Sequence, residues 1–152
     1  MGIYKNFMHI STTEINKVSH KKQKITWKPS GIYAAKGNSW LNFMKNHLNK
    51  KTDKIYKYSI VLSKDADIVT LDTIKSVEKF LRKYGKQSDE YYLIDWRKVS
   101  KDYDGIHVTK NVIKSYPKKE EWIIKYLFIT MFDVETLCIW NNKKISLVEK
   151  NA

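Results

Sequence analysis

Two hydrophobic periods organise this chain. Between Ile55 and Leu62 the large residues Tyr56, Tyr58, Ile60 and Leu62 occupy every second position, which predicts a strand with one covered face. Further on, Ile74, Val77, Phe80, Leu81 and Tyr84 recur at helical spacing between Asp72, a good cap, and Gly85, a stop, which predicts an amphipathic helix. Trp40, Leu41, Met44, His47 and Leu48 follow the same spacing behind Asn38 or Ser39 and predict a helix over residues 39–49.

The remaining elements are shorter. Ile3 to Ile10 is rich in aromatic and β-forming residues and reads as a first strand with His9 near its end. A polar, lysine-rich stretch from Thr12 to Lys28 follows. Ile25–Trp27, Ile32–Ala35 and Ile68–Leu71 read as short strands, the second entered from the turn Pro29-Ser30-Gly31. Gly85 to Glu90 is expected as a surface loop, Tyr91 to Lys98 as helix and Ile106 to Thr109 as strand, with Asp104-Gly105 the turn into it, while Asn111 to Tyr116 fits no single state. Pro117 opens a helix-like segment through Leu127, and Phe128 to Phe132 suits helix or strand equally. Strands over 134–140 and 144–148, joined at Asn141-Asn142 or by a slightly longer turn, close the chain. With no repeat, low-complexity tract or Pro/Gly-rich linker, a single α+β domain over residues 1–152 is the simplest account.

Composition supports a folded domain: 152 residues with 42% hydrophobic and 13% aromatic content are too apolar for disorder, despite 30% charged residues. A domain of this size buries roughly 70% of its unfolded surface. No run of about 18 apolar residues and no secretory pattern at the N-terminus predict a cytoplasmic protein without a membrane partner. The single cysteine, Cys138, lies in an apolar segment and excludes an internal disulfide or a cysteine-based zinc site, so a buried, inert thiol is expected. His20, His47 and His107 lack metal-ligand spacing, and no metal is expected.

Charge adds a partner class. The net +13 comes from 29 Lys+Arg against 16 Asp+Glu, and Arg82 and Arg97 are the only arginines. Such a field concentrates nucleic acid and would also attract a dinucleotide, although abundant lysine, asparagine, isoleucine and tyrosine also follow from an AT-rich genome. Scarce arginine argues against base readout in the major groove. Lys21, Lys22 and Lys24, with Lys50 and Lys51, are the candidate nucleic-acid contacts, with Trp27, Tyr56, Tyr58, Tyr91 and Tyr92 near in sequence as stacking surfaces for single strands. Their alternative is an ordinary solvated face.

Candidate chemistry sits at strand ends. Glu135 stands at the mouth of the apolar run Thr136-Leu137-Cys138-Ile139-Trp140, where a carboxylate is costly unless it is used, and Asp133 shares its face if the strand begins there. His9 ends the first strand, and Gly31 leads into a strand carrying Tyr33. Each has a plainer alternative: a solvated strand entrance for the acids, a backbone-satisfied histidine, and ordinary sheet packing for the tyrosine.

The ordered set of Met8-His9-Ile10-Ser11, Ser30-Gly31-Ile32-Tyr33, Tyr103-Asp104-Gly105-Ile106 and the glutamate-entered strand at Glu135 resembles the ADP-ribosyltransferase superfamily of the histidine-tyrosine-glutamate type over nearly the whole chain. The resemblance implies an α+β, split two-sheet ADP-ribosyltransferase-like fold with flanking helices and NAD as substrate. It implies that His9 bonds the ribose of NAD, that Tyr33 stacks on nicotinamide with Trp40 or Phe43 opposite, and that Ser11, with Thr12, supplies a small hydroxyl. It gives Glu135 the catalytic role: bonding the ribose 2′-hydroxyl and stabilising an oxocarbenium-like transition state. The family's usual second tyrosine, about ten residues after the first, is absent, as is the glutamate or glutamine two positions before Glu135 that marks arginine-directed members. Gly31 to Leu48, together with Cys138-Ile139-Trp140-Asn141, also resembles a group of proteins from large DNA viruses, which carries no activity over.

The function implied is mono-ADP-ribosyl transfer from NAD to a macromolecular acceptor, nucleic acid favoured slightly over a host protein. A branch of this fold that transfers RNA 2′-phosphates relies on several arginines, which this chain lacks. The alternative is a non-catalytic, basic nucleic-acid-binding or host-interaction protein of the same fold. A histidine-dependent nuclease would explain His9 and the charge but lacks a carboxylate cluster.

Overall fold

The structure is a computed structural model, which describes residues 4–11, 13–39, 42, 55–87, 92–115, 128–130 and 132–150. Its frame is an α+β arrangement of two sheets with short helices. The larger sheet contains β1 (Phe7–Ser11), β3 (Ile32–Lys36), β4 (Tyr56–Leu62), β5 (Ile68–Leu71), β8 (Gly105–Val108), β9 (Thr136–Ile139) and β10 (Ile145–Lys150) in the order β10-β4-β1-β3-β9-β8-β5. Only β5 and β8 run parallel within it. The smaller, antiparallel sheet has the order β2-β7-β6, from β2 (Ile25–Thr26), β6 (Gly85–Gln87) and β7 (Tyr92–Asp95).

Pairing within the large sheet is uneven. β3 pairs with β9 from Ile32↔Ile139 to Ala35↔Thr136, and β1 pairs with β4 from Met8↔Ser59 to Ser11↔Tyr56. Between β1 and β3 the ladder has only Phe7↔Lys36 and Met8↔Ala35. The halves β10-β4-β1 and β3-β9-β8-β5 are therefore joined by a short seam that parts at His9. The α+β frame of two sheets is as expected, and the parting at His9 lies within the larger of them.

Alternation gives each face its own core. One face carries Ile106, Val108, Cys138 and Leu71 under helices α1 (Ile74–Tyr84) and α2 (Trp96–Asp102), whose Val77, Phe80, Leu81, Trp96 and Val99 are buried against them. Aromatic rings lock this side, with Phe80 stacked on Phe128 at 5.8 Å and Trp96 against Trp140 at 6.1 Å. The other face has a smaller core of Phe7, Ile60, Leu137, Ile139 and Ile145. A third helix, α3 (Lys110–Ser115), follows β8.

Local chemistry explains the boundaries. Thr73 caps α1 rather than Asp72: its hydroxyl accepts from Ser76 N at 3.0 Å while Ser76 Oγ accepts from Thr73 N at 3.0 Å, closing a capping box. Gly85 ends α1, but in extended backbone that opens β6 where a loop was expected. The helix expected from Tyr91 begins only at Trp96, because Tyr92, Leu93 and Ile94 are taken up by the small sheet and Asp95 caps α2 by accepting from Arg97 N at 3.2 Å.

The hairpin expected at Asn141-Asn142 does not form. Asn141 instead caps a 3₁₀ turn, Asn142–Lys144, by accepting from Lys143 N at 3.1 Å, and bonds Asp104 through its amide at 2.8 Å. Lys144 O accepts from Ser63 N at 2.9 Å, so the chain is delivered to the end of β4 and β10 runs along that strand. Residues 128–130 are helical, and the helices expected over 39–49 and from Pro117 fall largely or wholly outside the described residues. No helix among the described residues is long and apolar enough to cross a membrane.

Candidate functional site at the β1–β3 seam

Where β1 and β3 part, the His9 ring takes the place of the missing ladder bond. Its Nδ1–H donates to the Tyr33 carbonyl at 2.5 Å, which fixes the tautomer and leaves Nε2 with a lone pair. Burial lowers the His9 pKa, only partly opposed by that hydrogen bond, so the ring is neutral at pH 7.

Beside this seam lies a cavity of about 310 Å³, lined among others by His9, Lys28, Tyr33, Phe132, Asp133 and Thr136. Tyr33 donates its hydroxyl to the Pro29 carbonyl, so the phenol is anchored and its ring forms part of the wall. Burial pushes its pKa well above the usual phenol value, with the adjacent Cys138 adding to the effect. Lys28 reaches in from the turn before β3, and its ammonium lies 5.9 Å from the Tyr33 ring centre and 5.2 Å from that of Phe132. Such distances suit a cation facing two π systems. Burial lowers the Lys28 pKa, while the charge of Asp133 opposes the shift. Asp133 is exposed on the rim and makes no hydrogen bond to a described residue.

Glu135 lies elsewhere. The cleft expected to gather His9, Tyr33 and Glu135 gathers the first two, while Glu135 does not line it. Its Oε2 is 2.9 Å from His107 Nε2 and its Oε1 accepts from Lys110 N at 3.1 Å. Burial disfavours its charge, but the His107 hydrogen bond, the Lys110 N–H and the charges of His107 and Lys36 outweigh that and hold its pKa below the usual carboxylate value. Tyr4 and Phe7 pack edge-on against His107 at 5.4 and 5.3 Å and close over the pair.

Asp133 and Glu135 would share a face if the strand began at Asp133, but β9 begins at Thr136, after a bend at Val134, so the two-residue period does not reach them, and Asp133 lines the cavity while Glu135 does not. A Cβ at Gly31 would lie 2.5 Å from Ile139 O, so the missing side chain lets β3 approach β9.

Other candidates scatter. Ser11 closes a local turn, donating to Thr13 O at 2.7 Å and accepting from Thr13 N at 3.1 Å, and does not line the cavity. Trp40, Lys50 and Lys51 lie outside the described residues. Lys21 and Lys22 line a separate groove, and Lys24 is exposed beside it. Cys138 is fully buried, and burial pushes its thiol up to about 12. Among the described residues, no group of three or more His, Cys, Asp or Glu side chains is placed to hold a metal.

Lys28 and Phe132 were not legible as site residues. Lys28 lies in a lysine-rich stretch with nothing to separate it from its neighbours, and Phe132 closes an apolar run of undecided structure. Only their convergence on Tyr33 marks them. Comparison with protein-family models, curated proteins and solved structures gives no match for this chain.

Proposed function

We propose that this protein is an ADP-ribosyltransferase of the histidine-tyrosine-glutamate type, binding NAD at the β1–β3 seam and transferring ADP-ribose to a macromolecular acceptor. One observation carries the reading: the histidine strand, the Gly-aromatic strand and the glutamate-entered strand, distant in sequence, are consecutive neighbours β1-β3-β9, with a cavity where the first two part. That juxtaposition supports the split-sheet form of the fold. The cavity falls within the range of small-molecule sites, with room for the nicotinamide end of NAD rather than the whole dinucleotide.

The residues divide the work. His9 Nε2 accepts a ribose hydroxyl, and Tyr33 and Phe132 offer π faces to the positively charged nicotinamide ring. Lys28 supplies countercharge to the pyrophosphate. Transfer breaks the C1′–N bond, nicotinamide leaves with the bonding pair, and an acceptor nucleophile attacks C1′ and loses its proton. The carboxylate bordering the cavity, suited to the oxocarbenium charge, is Asp133, while Glu135 would first have to leave His107. A preorganised group of this kind contributes about 10²–10³ in rate.

The test is incubation with labelled NAD and mixed nucleic-acid and protein acceptors, with melting temperature followed with and without NAD. Label transfer and a raised melting temperature are expected, with Asp133→Asn reducing transfer at least about a hundredfold at unchanged stability. If Glu135→Gln abolishes transfer and Asp133→Asn does not, the His107 pair opens in the bound state and Glu135 takes the role. Neither transfer nor thermal shift would leave the second reading, a non-catalytic binding protein, which the engagement of both Glu135 oxygens favours.

A further inference from the structure

A groove of about 690 Å³ runs between residues 20–23, α2 and the 3₁₀ turn before β10. Its cations come from three distant parts of the chain: Lys21 and Lys22, then Arg97 and Lys101 one turn apart on α2, then Lys143. Among the described residues, no carboxylate lines it. Arg97 is already engaged by Asp95, through Nε at 2.9 Å and a second nitrogen at 3.1 Å. The ammonium groups of Lys21, Lys22, Lys101 and Lys143 supply the remaining charge, and Asp102, beside Lys101, is already bonded by Tyr84 and Lys83.

The walls are fixed rather than loose. Gln23, 6% exposed, clips the lysine segment to the turn before β3, donating to Ser30 O at 2.6 Å and accepting from Ser30 N at 3.0 Å. Lys24 O accepts from Trp96 N at 3.2 Å, tying the same segment to α2. On the far side, Trp140 is buried and its indole N–H donates to Tyr103 O at 2.8 Å, which sets a rigid floor.

We propose that this groove binds the phosphodiester backbone of single-stranded nucleic acid. Cations on both walls of a groove match a thread of regularly spaced negative charge, which can follow the groove between its walls as a flat lipid surface cannot. Lysines contact phosphates as point charges without reading bases, and the one arginine present is held by Asp95. In the proposed enzyme this is the acceptor track. That role rests on the ADP-ribosyltransferase reading, but binding itself is measured without NAD and stands or falls apart from it.

The experiment is fluorescence anisotropy of labelled oligo-dT and oligo-U of about 15 nucleotides across a salt series, with the two oligomers distinguishing DNA from RNA. Four phosphate contacts predict a log–log salt slope of about −3. The combined variant Lys21→Gln, Lys22→Gln, Lys143→Gln should weaken binding at low salt at least about tenfold and flatten the slope by about 2. A control, Lys64→Gln, Lys75→Gln, Lys79→Gln, removes the same charge outside the groove and should change affinity less than about twofold. If the groove triple lowers the melting temperature, Lys101→Gln with Lys143→Gln replaces it. The proposal is overturned if both triples weaken binding equally, if neither oligomer binds at low salt, or if a polyglutamate peptide binds more tightly and loses that binding in the groove triple. In the last case the partner is an acidic protein.

Discussion

Asp133 and Glu135 stand two residues apart at the entrance to one strand, yet they meet opposite environments. Glu135 spends both oxygens, one on His107 and one on the Lys110 amide, beneath Tyr4 and Phe7. Asp133 is exposed on a cavity rim with no bond to a described residue. The histidines divide the same way: His107 is sealed against a carboxylate, while His9 borders the cavity with one nitrogen uncommitted. Unspent hydrogen-bonding capacity at an open cavity separates the groups given a part in the proposed chemistry from those that hold the sheet together.

The largest expected effect breaks the sealed side. His107→Leu strands the Glu135 carboxylate in a setting where its side chain is only 16% exposed, and should cost about 2–3 kcal/mol. Thermal denaturation should register a fall of about 5–10 °C, while a loss below a degree or so would mean that Lys110 N and solvent already suffice for Glu135. His9→Ala is milder, because water entering the cavity can replace the ring at the Tyr33 carbonyl. A loss of about 1 kcal/mol is expected, together with disappearance of the NAD-induced thermal shift.

Acid should separate the two sides by pH. The folded pKa of His9 lies below its usual 6.5, so the unfolded chain takes up the proton first and this contribution to stability is lost as pH falls from 6.5 through the folded value. Glu135 is likewise lowered from 4.5, so its contribution is intact above that pH and is lost as pH falls through its folded pKa. Stability measured against pH should therefore weaken in two stages, with His9→Asn removing the upper and Glu135→Gln reducing the lower, to which Asp95 and Asp102, also held below the usual carboxylate value, contribute. A single stage unaffected by His9→Asn would refute the assignment of the upper one.

Lys28→Met should have the smallest effect. Lys28 is exposed as a residue, and the methionine keeps contact with Tyr33 and Phe132, so stability should change by less than about 0.5 kcal/mol. NAD should bind about threefold more weakly for want of a cation near its phosphates, a difference measurable by titration calorimetry. Tighter binding would show that Lys28 competes with the nicotinamide ring for the two aromatic faces.

The sequence exposes what repeats locally. The stripe from Ile74 to Tyr84 and the alternation from Tyr56 to Leu62 became α1 and β4 because each buries one regular face. It misleads where partners are remote. Asn141-Asn142 carries a hairpin signal, but bonds to Asp104 and the Lys144–Ser63 contact redirect the chain, and neither can be read within a short window. His9 and Tyr33 stood out as an end-of-strand histidine and an aromatic after glycine, and they meet. Lys28 and Phe132 gave no signal of their own, and the pairing of Glu135 with His107 spans twenty-eight residues without a motif to join them.

Cys138 gives this molecule its own clock. The thiol sits at the middle of the sheet, paired on one side with β3 and on the other with β8, with no exposed surface. Burial also keeps it protonated far above neutral pH. Any reaction with a soluble disulfide reagent must therefore wait for the strands to separate, and with one cysteine per chain the colour released counts molecules directly. The labelling rate becomes a record of how often the sheet opens, and its slowing by a bound ligand would register occupancy of the seam without any assay of turnover.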